Sequence, residues 1–95
     1  MRYGKSKMDS YNPDQSWLDH PCVVVLEGDA ITVEYDDEGW QSYQGSDKGS
    51  GHYELFSRSF SGGRATLHRF DGGLILEGSY EEQGSKGMWR IRLVA

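Results

Sequence analysis

The chain has 95 residues and a net charge of −5, with 36% hydrophobic, 26% charged and 13% aromatic residues. This length holds one domain and excludes a two-domain enzyme, a (β/α)₈ barrel and a doubly wound nucleotide fold. A mean hydropathy of −0.72 is polar for a folded domain, but the aromatic content argues against full disorder.

The charge is unevenly spread. Residues 1–50 carry a net −6 and residues 51–95 a net +1. An acidic chain lacks the clustered Lys and Arg that phosphate-backbone binding needs, so no nucleic-acid partner is expected. No stretch approaches the roughly 18 apolar residues of a membrane-spanning helix, so no membrane partner is expected. Residues 1–19 contain no apolar core of a secretory signal. Cys22 stands alone, which excludes an internal disulfide. A cytoplasmic setting is the expectation from these points together.

In chain order, residues 1–20 are polar and unpatterned, with Tyr3, Tyr11 and Trp17 scattered among Lys, Asp, Ser and Asn. They read as a flexible N-terminal arm that docks near Trp17 and Leu18. Residues 21–95 read as a single all-β domain. Short alternating runs split by Gly-Asp, Asp-Gly and Gly-Gly give about seven strands, over 22–27, 30–35, 40–45, 52–58, 64–70, 73–81 and 88–95. The segment 45–51, GSDKGSG, reads as the most flexible loop.

Turn chemistry sets the expected register, because a one-residue slip moves every core side chain to the wrong face. Gly28-Asp29 as a two-residue loop places Leu26 opposite Ile31, Val24 opposite Val33 and Cys22 opposite Tyr35. Asp71-Gly72 treated the same way places Leu67 opposite Leu76 and Ala65 opposite Gly78. A last hairpin across 81–87 then sets Tyr80 against Trp89, Gly78 against Ile91 and Leu76 against Leu93. Outside, it puts Glu77 beside Arg92 and Ser79 beside Arg90. Such a meander buries one face by curling into a closed or partly open up-and-down barrel. A two-sheet sandwich is the alternative.

Two segments carry a family resemblance. Leu76-Glu77-Gly78-Ser79-Tyr80 resembles the L-x-G-x-Y strand of avidin-like barrels. Gly87-Met88-Trp89-Arg90-Ile91-Arg92-Leu93 resembles the closing G-x-W-x-I-x-L strand of lipocalin-like (calycin) proteins. The resemblance implies an up-and-down barrel with a ligand pocket at one end and Tyr80 as its pocket tyrosine. The family's barrels have eight strands, where the count here is seven. Their later strands are richer in Trp than this chain, which has Trp at 17, 40 and 89.

Candidate chemistry is sparse. Glu54 and His68 are expected to be cross-strand neighbours, which suggests an acid/base dyad or a plain surface pair. No catalytic set is complete and no G-x-S-x-G motif occurs. His20-Pro21-Cys22 offers two ligand types but no full metal site. Asp36-Asp37-Glu38-Gly39 lacks the spaced ligand ladder of a calcium loop, and reads as a solvated turn or an acidic patch. The glycine-rich pieces do not fit a phosphate loop, so no cofactor is expected.

The face opposite the core is more informative. It collects His52, Phe56, Arg58, His68, Phe70, Ile75, Arg90 and Arg92. Aromatic and Arg side chains are enriched at binding hot spots. With Tyr80, this face marks a candidate site for a ligand or a protein partner. The functional expectation is therefore a non-enzymatic binding module. Two alternatives remain. One is an acidic antagonist, of immunity or inhibitor type, that covers a basic enzyme surface through Asp36, Asp37 and Glu38. The other is a small hydrolase or isomerase using Glu54 and His68. Either a monomer or a homodimer through an edge strand fits, the last strand being the candidate edge.

Overall fold

A computed structural model describes residues 1–95. Its eight antiparallel strands are β1 (Arg2–Tyr11), β2 (Ser16–Glu27), β3 (Ala30–Asp36), β4 (Trp40–Asp47), β5 (His52–Ser57), β6 (Arg64–His68), β7 (Ile75–Glu82) and β8 (Ser85–Arg92). Each pairs with the next, and β8 pairs with β1, so the sheet closes into an up-and-down barrel. Closure gives every strand two neighbours. β8, considered above as an edge, is bonded on both sides.

Strict alternation fills the interior. Val24, Ile31, Val33, Tyr43, Leu55, Leu67, Leu76 and Ile91 are fully or almost fully buried. Their outward neighbours Thr32, Glu34, Gln44, Glu54, Thr66, Glu77 and Arg90 face solvent or lie half-buried. A small closed barrel needs no second layer, which accounts for the polar composition.

The eighth strand comes from the segment expected to be an arm. Residues 2–11 form β1, and residues 16–20 open β2. The reason the segment looked unpatterned is physical. The inward positions of β1 are Ser6, Met8 and Ser10, all buried, and two of them are small hydroxyls. Ser6 pays its polar cost locally: its Oγ donates to the Tyr3 carbonyl at 2.9 Å and accepts from the Val94 amide at 3.1 Å. Ser10 is register partner to both Trp17 and Trp89.

The β2–β3 hairpin has the expected register, with Cys22 opposite Tyr35, Val24 opposite Val33 and Leu26 opposite Ile31. Two later hairpins slip by two residues and so keep every side chain on its expected face. β6 ends at His68, and residues 69–74 form a longer loop tied by Arg69 N to Gly51 O (2.9 Å) and Arg69 Nε to Gly73 O (2.7 Å). Leu67 therefore faces Gly78 and Ala65 faces Tyr80. In the last hairpin the turn is Gln83-Gly84, both at positive φ, as a type I′ turn requires. Trp89 then faces Gly78, Ile91 faces Leu76, and Arg90 faces Glu77. Gly78 has no alternative here, since a Cβ would overlap the Thr66 carbonyl.

A β-bulge where β1 meets β2 sets Leu18 and Asp19 against Asp9, with Asp19 at φ 57°. It brings Asp19 to Arg92.

Candidate functional site

One end of the barrel carries the turns β1–β2, β3–β4, β5–β6 and β7–β8. In the first of these, Asn12 Oδ1 accepts the amides of Asp14 and Gln15, each at 2.9 Å. The same side chain reaches inward, its Nδ2 donating to the Tyr80 hydroxyl at 3.5 Å. The β1–β2, β3–β4 and β7–β8 hairpins rim an open cavity of about 190 Å³.

Aromatic rings wall this mouth. Trp89 stacks on Tyr80 at 5.1 Å and meets Tyr35 edge-on at 5.9 Å. Trp17 packs on His20 at 4.9 Å, and His20 in turn meets Tyr35. The His20 ring is fixed by Nε2 donating to the Asp36 carbonyl at 2.7 Å. Below the wall, Tyr43 lies edge-on to Trp89 and to Phe60. The cavity exists because Ser10, between the two tryptophans, is small.

Two carboxyl groups, Asp37 and Glu82, also line the cavity, and none of the lining residues is basic. Neither carboxylate enters an ion pair, whereas Glu54, Glu77, Glu81, Asp9 and Asp19 all do. Burial pushes the Glu82 carboxyl above the usual carboxylate range; the Tyr43 hydroxyl pulls it back in part, and repulsion from Asp37 raises it further. Burial likewise raises Tyr43, and Glu82 adds to the effect. Tyr43 is fully buried and its hydroxyl has no hydrogen-bond partner of good geometry. Gln41 Oε1, under the Asp37 turn, is also unpartnered. Such orphans are uncommon in folded proteins.

The residues expected to form one outer site are separated. His52, Phe56, His68, Arg90 and Arg92 do lie on the outer wall, but Tyr80 is inside, in the mouth. Arg58 sits in the loop at the mouth end and Phe70 in the loop at the opposite end. Phe56 is 58% exposed and Phe70 92%, so neither is core. Glu54 is register partner to Thr66, not to His68. His68 meets His52 instead: His52 Nδ1 and His68 Nε2 are 2.7 Å apart, one ring donating to the other. Glu54 lies 3.9 Å from the far nitrogen of His52. The expected dyad is thus replaced by a His–His pair because β5 and β6 pair around a longer turn.

The acidic run divides as well. Asp37 lines the mouth, Asp36 caps its own turn by accepting the Gly39 amide at 3.1 Å, and Glu38 is exposed. Cys22 is buried and its thiol is pushed up to about 12 by burial, so it stays protonated. No group of three or more His, Cys, Asp or Glu side chains converges to hold a metal ion.

Sequence reasoning missed Ser10, Asn12, Gln15 and Trp17 as site residues because it placed them in an arm. It missed Glu82 because the last hairpin was drawn with too long a turn. The usable signal was Gln83-Gly84, a dipeptide suited to a tight hairpin, which brings Glu82 and Ser85 into register.

Fold and site together define a small closed antiparallel barrel with an acidic, aromatic-walled mouth. No family model matches the chain, and neither a curated protein nor a solved structure does.

Proposed function

We propose that the protein is a non-enzymatic binding barrel of calycin type that holds a small ligand in its mouth. The open cavity walled by Trp17, Tyr35, Tyr80 and Trp89 carries this reading. Ligand sites are concave, largely aromatic or apolar, and furnished with a few polar groups that fix orientation. Small barrels offer such a site where the side-chain filling stops short of the rim. A cavity of about 150 Å³ suffices for benzene, so a single-ring compound is the right scale. The place of Tyr80 agrees with the pocket tyrosine that the LEGSY segment implies.

Titration with a set of single-ring compounds, read by tryptophan fluorescence, tests this. Saturable changes are expected in the native chain and should vanish in Ser85→Phe, which plugs the rim. Binding that survives the plug would place the function elsewhere.

A second reading keeps the outer wall as a protein-binding surface, favoured by the exposure of Phe56 beside Arg64 and Lys86 around a shallow groove. Under that reading Phe56→Ala removes partner binding and Ser85→Phe does not.

A further inference from the structure

The mouth carries two acidic side chains and no basic one. Asp37 and Glu82 present carboxylates with no cation in reach, and the amide of Asn12 is already committed to Tyr80 and to its own turn. Behind the wall, the fully buried Tyr43 packs edge-on to the lining residue Trp89, and its hydroxyl has no hydrogen-bond partner. A Glu82 carboxylate engaged by a cation would be held as a fixed acceptor for that hydroxyl. Glu82 is half-buried and Asp37 is exposed at the rim, and a counter-charge would relieve both the desolvation of the first and its repulsion by the second. Four electron-rich ring systems around them favour the same visitor, because a cation over an aromatic face is attracted by the ring quadrupole.

We infer that the mouth selects a small organic cation, a primary ammonium on a short aromatic or apolar body, held between Glu82 and Asp37. This rests on the mouth being the binding site. The ammonium donates to the two carboxylates, while the body lies against Trp89, Tyr80 and Trp17. A metal ion is the poorer match, since no third His, Cys, Asp or Glu joins the pair.

Three probes of one shape and different charge separate the outcomes: benzylamine, benzyl alcohol and benzoate. Binding is followed through the indole N–H signals of the ¹⁵N-labelled protein at neutral pH. Trp17 and Trp89 report on the mouth, and Trp40, 58% exposed and not a lining residue, is the control. Benzylamine should shift Trp17 and Trp89 but not Trp40. It should bind about tenfold or more tightly than benzyl alcohol, as charge-assisted hydrogen bonds require, with benzoate weakest. Glu82→Gln keeps the shape of the side chain and should bring benzylamine down to the level of benzyl alcohol. Asp37→Asn should act in the same direction with a melting midpoint no lower than that of the native chain. If benzyl alcohol binds as tightly as benzylamine, or neither variant weakens benzylamine, the cation reading fails while the mouth remains a binding site. If no probe moves Trp17 or Trp89, the mouth reading fails and this inference fails with it.

Discussion

Two groups of carboxylates sit on this small barrel in opposite circumstances. On the outer wall, Asp9 and Asp19 share Arg92. Its Nη1 donates to Asp9 Oδ2 at 2.8 Å, its Nη2 to Asp9 Oδ1 at 3.1 Å, and Nη2 also contacts Asp19. The Asp19 amide adds a third bond to Asp9, at 3.0 Å. In the mouth, Asp37 and Glu82 have no cation at all. The first cluster lowers Asp9 to about 2, chiefly through the Arg92 hydrogen bonds; in the second, burial raises Glu82. Placement of the countercharge decides the role. Arg92 ties β8 to β1 and to the bulge in β2, so those acids help to close the barrel. The mouth acids contribute nothing comparable to the fold, and their charge is free for a ligand.

The largest test of this contrast is Arg92→Ala. It removes a bidentate partner from Asp9, whose side chain is only 13% exposed. A loss of about 2 kcal/mol is expected, since hydrogen bonds to charged groups are the costly ones to break. A lower urea midpoint with an unchanged slope would show it. A change no larger than that of an ordinary surface pair would mean that the outer cluster does not help to close the barrel.

Acid titration comes next, and the two groups carry opposite signs. Asp9 is depressed on folding from 3.8 to about 2. Its contribution is therefore present above pH 3.8 and fades as the pH falls through about 2. The amount is about 1 kcal/mol once solvent screening is allowed for. Glu82 is raised above 4.5, so its protonated form favours folding. The corresponding stabilisation is present below pH 4.5 and is lost as the pH rises through the raised value. Acidification from neutrality should first raise the melting midpoint slightly, then lower it. Glu82→Gln should abolish the rise and leave the fall. At neutral pH the same variant should lose no stability and gain up to about 0.5 kcal/mol, because a neutral amide ends the repulsion from Asp37.

How far the sequence could carry these conclusions depended on the strength of each local signal. Inside–outside parity was legible from Cys22 in β2 through β8, because Val24, Val33, Leu55, Leu67 and Ile91 alternate with polar neighbours. Register was legible only where a tight turn was plain, as at Gly28-Asp29. Asp71-Gly72 misled because it is the tip of a six-residue loop held by Arg69 bonds that no local pattern reveals. β1 was illegible for a different reason: its inward Ser6 and Ser10 are polar, and their burial is dictated by distant partners, Val94 and Trp89. The candidate site suffered most, since Asn12, Trp17, Asp37 and Glu82 come from three separate hairpins and meet only on closure. The pairing of His52 with His68 needed the same long-range register.

The smallest expected effect sharpens the comparison. Glu77 and Arg90 form a cross-strand pair at 3.2 Å, not far from the Arg92–Asp9 distance, yet their side chains are 54% and 57% exposed. Water screens the attraction, and two long side chains must be held still to make it. An interaction of about 0.3 kcal/mol is expected from a double-mutant cycle of Arg90→Ala and Glu77→Ala. Raising the salt to roughly 1 M, where the screening length falls to about 3 Å, should erase it. The partly buried Arg92–Asp9 pair should keep most of its value under the same salt, because solvent ions reach it poorly. If both pairs lose the same fraction, burial is not what separates structural from free charge on this barrel. If they part as expected, the unpaired acids of the mouth stand out against a wall whose charges are either clamped or screened.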